Sequence, residues 1–314
     1  MIDEISLHLR RVLNNFNSED SLIYNNRIIT ISKNNFSPLP SIYSPEWNNK
    51  SVAFIDGGQA EIISAGNFCL SFIRVGALIF QGNKKIKDHK QEFYLLTTGK
   101  YYNQDLFYES KIFGDKMIEE ADLLISSTDS SIKSGLERAP VSKVANMARR
   151  FAELSLAEEI DADFVVLDGI LEPTFKNEEK YLLGSDKICS IAKSSSLFTV
   201  SGNSPVVLLN KLGPQDCWSY LIDNDSHFVK LNERGKHVFR FMGDKAVLPF
   251  LKENSQDALF LGYPYGLIAV DRFVRVSNEE KNSLRIKFLL REENKEITEY
   301  LNTSNAHDLL DNLG

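Results

Sequence analysis

Four acidic residues, Asp56, Glu153, Asp168 and Asp271, stand far apart in the chain, each in a segment with its own pattern. Asp56 closes the apolar run Val52-Ala53-Phe54-Ile55 and precedes Gly57-Gly58, and Asp168 closes Phe164-Val165-Val166-Leu167 and precedes Gly169. Glu153 falls inside a helical pattern, and Asp271 follows the run from Tyr263 to Val270. Carboxylates delivered by several elements supply the hard oxygen ligands that divalent cations require. Such sets run phosphoryl chemistry, in which two ions roughly 3.5 to 4 Å apart activate a water and stabilise the leaving oxygen of an in-line displacement. A single Asp-Gly after an apolar run is commonly a turn, so the signal lies in the set and its order.

Elements able to position these residues can be read from periodicity. Residues 1 to about 20 predict an amphipathic helix with Ile5, Leu9, Val12, Leu13 and Phe16 on one face. The Asn-rich stretch from Asn25 to Lys50, punctuated by Pro38, Pro40 and Pro45, predicts an extended arm or short strands. From Ser51 to Phe80 three apolar runs, separated by Gly57-Gly58 and Gly66-Asn67, predict an antiparallel meander of short strands with Asp56 at the end of the first. A largely helical section is expected from about Gln104 to Ile160. Its last helix, opened near Pro140 and Ser142, carries an apolar stripe of Val144, Met147, Ala148, Phe151 and Leu154, with Glu153 on the other side beside Leu156 and Ile160. The continuous apolar run from Asp163 to Leu167 predicts a parallel strand covered on both faces. Further on, Phe228 to Leu231 and Lys236 to Phe241 predict a hairpin, Leu248 to Asn254 and Gly266 to Val276 predict helices, and Asn302 to Gly314 predicts a short terminal helix.

An antiparallel three-strand start with an acid on its first strand, then a helix with an acid, a parallel strand ending in an acid and a last acid on a late helix, is the chain order of an RNase H-like fold. The expected architecture is therefore α/β, an RNase H-like core with a mixed sheet flanked by helices, plus a β-hairpin and N-terminal elaborations. Residues 1–50 are expected to form the N-terminal helix and arm, and residues 51–314 the nuclease-type domain.

The chain resembles the NurA nucleases on four motifs that span most of its length. Phe54-Ile55-Asp56-Gly57-Gly58 resembles the family's first motif. Arg149-Arg150-Phe151-Ala152-Glu153 with Phe164 to Leu171 resembles its helix-borne Glu and Leu-Asp-Gly block, Ile191-Ala192-Lys193 its lysine motif, and Gly262-Tyr263-Pro264 through Asp271-Arg272 its C-terminal Tyr-Pro block. Gly58 and Ile170 stand where Ser is common in the family, and Asp271 where His is frequent. The resemblance implies a Mn²⁺-dependent deoxyribonuclease, with Mg²⁺ as an alternative ion. It implies 5′-to-3′ exonuclease and single-strand endonuclease activities on single-stranded DNA and DNA ends, and a homodimer docked on a hexameric HerA-type ATPase. Carried over residue by residue, it makes Asp56, Glu153, Asp168 and Asp271 metal ligands of a two-ion site and Lys193 a contact to the scissile phosphate. Tyr263 becomes a candidate to orient a phosphate or water, and Arg149, Arg150 and Arg272 become DNA-backbone contacts.

Composition is compatible with this reading. A hydrophobic content of 43% and a charged content of 25% are those of an ordinary globular chain. The net charge of −7 disfavours a protein that coats nucleic acid through its overall field, although Lys84, Lys85, Lys87 and Lys90 cluster locally. No apolar run approaches the roughly 20 residues of a membrane span, and the N-terminus lacks a secretory pattern, so a cytoplasmic location is expected. Cys69, Cys189 and Cys217 show no paired spacing and are expected to be buried thiols. Two other functions compete. Asp56-Gly57-Gly58 resembles the first phosphate loop of actin-like sugar kinases, but Gln59 stands where Thr or Ser would hold the phosphate, and a second glycine-rich loop is missing. An inactive scaffold subunit of a nuclease complex is the other alternative, disfavoured because all four acidic positions are filled.

Overall fold

The amphipathic pattern at the N-terminus forms helix α1 (Ile2–Asn14), whose Ile5, Leu9 and Leu13 are exposed. The computed structural model describes residues 1–14, 20–40, 47, 49–182 and 186–304, so Phe16, Pro45 and the expected helical residues 305–314 lie outside the described residues. The chain divides into two compact units, one of Met1–Lys50, Asp168–Ile170 and Asp186–Gly266, the other of Ser51–Leu167, Leu171–Ser185 and Leu267–Gly314. The arm after α1 does form short strands: β1 (Ser21–Tyr24) and β2 (Arg27–Thr30) make a hairpin, and β3 (Phe36–Pro38) follows.

The second unit begins with three long antiparallel strands, β4 (Ser51–Ala65), β5 (Phe68–Gln81) and β6 (Lys84–Tyr102). The antiparallel meander is there, but residues 51–80 supply two long strands and not three short ones, the third being β6, because Gly57-Gly58 is no turn: β4 runs straight through the pair, so Asp56 sits within a 15-residue strand rather than at its end. The reason is packing from both sides. Successive strand residues face opposite ways. A Cβ on Gly57 would lie 2.6 Å from a Glu153 carboxylate oxygen, and a Cβ on Gly58 would lie 2.2 Å from the Val274 carbonyl oxygen. Opposite Asp56 on β5, a Cβ on Gly76 would lie 2.9 Å from Val274 Cγ1. The glycines therefore admit one helix to each face of the strand.

The expected helical section is corrected more substantially. Residues after Gln104 form β7 (Asp105–Gly114), paired antiparallel with β6, and β8 (Ile125–Ser126), paired with β7. Only the end of the section is a long helix, α2 (Val144–Glu159), buried nearly all round. It leads to β9 (Phe164–Asp168), which pairs parallel to β4 from Val52↔Phe164 to Ile55↔Leu167. The strand order in this unit is β9-β4-β5-β6-β7-β8. A meander whose first strand takes a parallel fourth strand on its far side, reached through a helix, is the RNase H-like arrangement, so the expected fold class holds. Val52 to Ile55 and Val165 to Leu167 are fully shielded from solvent, as central strands covered on both faces should be.

A short helix α3 (Glu179–Leu182) follows, and the chain then builds the sheet of the first unit. It comprises β10 (Ile188–Ala192), helix α4 (Pro205–Leu212), β11 (Trp218–Asp223), β12 (Ser226–Lys230), β13 (Phe239–Met242) and helix α5 (Leu248–Asn254). The order β10-β13-β12-β11-β3 is antiparallel throughout and includes the predicted hairpin as β12–β13. Its core packs Trp218, Tyr220 and Phe228 against Leu208 and Leu209 of α4.

Helix α6 (Tyr265–Val274) matches the expected late helix and carries Asp271; α7 (Asn278–Leu289) and α8 (Lys295–Ser304) complete the described chain. Arg74 on β5 braces the α6–α7 junction. It donates to Glu280 at 2.5 and 3.1 Å, to the Arg275 carbonyl at 3.3 Å and to Glu92 at 2.7 Å. Leu284 and Phe288 of α7 pack over the far ends of β4 to β6. No helix among the described residues is long and apolar enough to cross a membrane. All three cysteines are buried, as expected, and burial pushes the Cys69 thiol up to about 11 and that of Cys189 up to about 12.

Gly58→Ala should shift the denaturation midpoint downward, by the equivalent of about 1–3 kcal/mol for an overpacked core site, because the obstructing atom is backbone. Gly66→Ala, with nothing within 4 Å of its added Cβ, is the matched control and should be nearly neutral.

Candidate active site

Helix α2 carries the first part of the site. Glu153 is buried on it, 4% exposed. A buried carboxylate needs compensation, and two arginines of the same helix supply it. Arg149 Nη1 makes an ion pair with the Glu153 carboxylate one turn on. The same nitrogen donates to the Gly57 carbonyl at 3.2 Å and stands 3.9 Å from Asp56 Oδ1. Asp56 Oδ1 also accepts the Gly57 N–H at 2.7 Å. One guanidinium thus spans the helix-borne and strand-borne carboxylates. Gln59, two residues along β4, donates to Asn146 of α2 at 2.6 Å and ties the same strand face to the helix.

Arg150, expected from the resemblance to touch DNA, points inward. Its side chain is 11% exposed and donates from Nε to Glu178 at 2.9 Å, with Glu153 Oε2 at 3.9 Å. Glu178 is fully buried and also accepts the N–H groups of Thr174 and Phe175, at 2.8 and 2.9 Å. No local pattern singles out Glu178, whose partner lies 28 positions away.

In the first unit the structure joins three of the sequence-derived residues. Tyr263 donates its hydroxyl to Asp168 Oδ1 at 2.9 Å, and Lys193, directly after β10, reaches Asp168 Oδ2 at 2.5 Å. The Lys193 ammonium also lies 5.0 Å from the centre of the Tyr263 ring, within cation–π range. Gly169 turns the chain at φ 106°, a conformation that suits glycine, and its N–H bonds to the Ile191 carbonyl at 3.0 Å. Within the second unit the parallel register of β4 and β9 runs to Ile55↔Leu167.

Asp271 on α6 makes an ion pair with Arg275, just past the end of that helix, and Arg272 is exposed on α6. Among the described residues no three of His, Cys, Asp and Glu stand close enough together to enclose an ion. Asp56 and Glu153 share one positive group, the Arg149 guanidinium, and one or two carboxylates are the kind of ligand that a hydrated Mg²⁺-type ion takes from a protein.

No protein-family model and no curated protein matches this chain. Among solved structures it is similar to Ciona intestinalis Endonuclease V in complex with a 24mer DNA containing an inosine followed by a ribo-adenosine, at 13% identity and a TM-score of 0.37, covering 72% of this chain and 84% of that one. The catalytic domain of human Endonuclease V aligns at 11% identity and a TM-score of 0.37, over 87% and 94% of the two chains. A. aeolicus Argonaute aligns at 13% identity and a TM-score of 0.28, over 76% of this chain and 29% of that one. Likenesses this remote do not bear on substrate or mechanism.

Glu178→Ala would remove the buried carboxylate that holds Arg150 Nε and the Thr174 and Phe175 N–H groups, and should destabilise the protein by about 3–5 kcal/mol, read in a urea titration. A change below about 1 kcal/mol would mean that Arg150 relaxes to another partner at little cost.

Proposed function

We propose that this protein is a metal-dependent deoxyribonuclease of NurA type. The observation that carries the reading is the buried Glu153 carboxylate, held against β4 by a gap that only glycine at position 57 leaves, with Asp56 and Glu153 bridged by one cationic group. A helix that stabilised itself by surface pairing would have no need to bury that carboxylate. Support also comes from Asp168, whose two carboxylate oxygens are held by Tyr263 and Lys193 of its own unit.

Asp56, Glu153, Asp168 and Asp271 are the proposed ion ligands. A divalent ion, Mn²⁺ or Mg²⁺, would supply Lewis-acid activation of water and charge neutralisation at phosphorus when bound. Lys193 holds Asp168 oriented, and its exposed ammonium is the proposed contact to a phosphate oxygen. Tyr263 fixes the other Asp168 oxygen, so that carboxylate is oriented before any substrate arrives. Arg272 offers an exposed charge for the DNA backbone. From the family resemblance the reading extends to single-stranded DNA and DNA ends as substrates, 5′-to-3′ exonuclease and single-strand endonuclease action, a homodimer, and a hexameric HerA-type ATPase as partner.

The test incubates the purified protein with 5′-labelled single-stranded and duplex DNA in Mn²⁺, Mg²⁺ or chelator, beside Asp56→Asn, Glu153→Gln and Asp168→Asn. Degradation should require the metal and fall by about two orders of magnitude or more in each variant, the several kcal/mol that loss of metal-assisted stabilisation removes. DNA left intact in both metals, with and without the cognate ATPase, would contradict the proposal.

A further inference from the structure

Arg149 and Arg150 are adjacent on α2 and both face Glu153, yet their surroundings differ. Arg150 is locked, nearly buried and bonded to the fully buried Glu178. Arg149 is 31% exposed, and its contacts among the described residues are the three around the candidate ion site: Glu153, the Gly57 carbonyl and Asp56. Helix energetics do not account for this pair. With Arg placed before Glu, the i,i+4 order is the weaker one for a helix, and the carboxylate is buried rather than at the surface.

A cradle has been left for the pair as well. A Cβ on Gly57 would lie 2.8 Å from Arg149 Cγ and 2.6 Å from Glu153 Oε1, so the strand gives up a side chain to admit both. A guanidinium matches the charge of carboxylates and donates in-plane hydrogen bonds, but a divalent ion carries twice the charge and coordinates oxygen directly.

We propose that Arg149 is a place-holding cation. In the ion-free protein it neutralises Glu153 and Asp56. When a divalent ion takes those oxygens, Arg149 is released toward solvent, where its guanidinium is free to grip a DNA phosphate. Ion binding and DNA binding are thereby coupled through one side chain. This inference rests on the metal reading given above and adds to it a residue that opposes the ion and assists the substrate.

The test needs no catalysis. Mn²⁺ is titrated calorimetrically into the full chain without DNA, for wild type, Arg149→Ala, Arg149→Lys and Glu153→Gln. Removing the competing cation should tighten Mn²⁺ binding at least about fivefold in Arg149→Ala, the lower end of ordinary coupling between sites. Arg149→Lys should fall between Arg149→Ala and wild type, and it carries the test if the alanine variant does not fold. A nuclease-resistant phosphorothioate single strand, followed by fluorescence anisotropy, gives the second readout. Arg149→Ala should bind it several-fold more weakly than wild type in Mn²⁺ and equally well in chelator. If wild type binds Mn²⁺ and neither Arg149 variant binds it more tightly, Arg149 is a fixed clamp on Glu153 and the proposal is overturned while the metal reading stands. If neither wild type nor the Arg149 variants bind Mn²⁺, the metal reading itself fails.

Discussion

The core unit depends on a close approach that a side chain would forbid. Midway along β4, Gly57 lets α2 bring Glu153 and Arg149 against one face of the strand, and Gly58, with Gly76 opposite Asp56 on β5, lets the end of α6 lie against the other. Two helices on opposite faces are thereby registered to the strand that carries Asp56. Every geometric relation in that unit's part of the site follows from these contacts: the guanidinium between Glu153 and Asp56, the Gln59–Asn146 bond, and the placement of α6 with Asp271. The same constraint gives a physical reason for Gly58 where the resembling family commonly has Ser, since a Cβ there meets the Val274 carbonyl at 2.2 Å.

Charge is managed around that approach by residues with separate duties. Arg150 and Glu178 form an inner pair that fixes the helix, with the Thr174 and Phe175 N–H groups completing the shell of the buried carboxylate. Arg74 performs a comparable task on the other face, joining β5 to the α6–α7 junction through Glu280 and the Arg275 carbonyl. Hydrogen bonding to Glu280 raises the Arg74 pKa, so that brace stays charged. Burial works against the charge on Glu92, but hydrogen bonds from Arg74 and Lys90 hold its carboxyl below the usual range. These braces leave Arg149 as the arginine of α2 whose contacts all belong to the candidate site.

Much of this was legible in the residues, and what was not had identifiable causes. The parallel strand β9, the late helix α6, helix α5 and the β12–β13 hairpin follow from runs whose period and flanking residues agree with the final structure. Glu153 could be singled out because its compensating arginine lies at i−4 on the same helix, a spacing visible in the chain. Glu178 could not, because its partner is remote in sequence. Strand β7 was mistaken for helix although Tyr108, Ser110 and Ile112 alternate inward with Glu109, Lys111 and Phe113 outward; a serine in a buried position and a phenylalanine in an exposed one hide the period. Gly57-Gly58 separates two apolar runs as a turn between strands would. Their actual duty depends on α2 and α6, which no local pattern announces.

Diffraction from crystals soaked in Mn²⁺, recorded at the manganese absorption edge, tests the central claim most directly. The account predicts an anomalous peak in direct contact with carboxylate oxygens of both Asp56 and Glu153, with the Arg149 guanidinium withdrawn from between them. A fully soaked crystal with no peak there, and with Arg149 still seated against Glu153 and the Gly57 carbonyl, would contradict it.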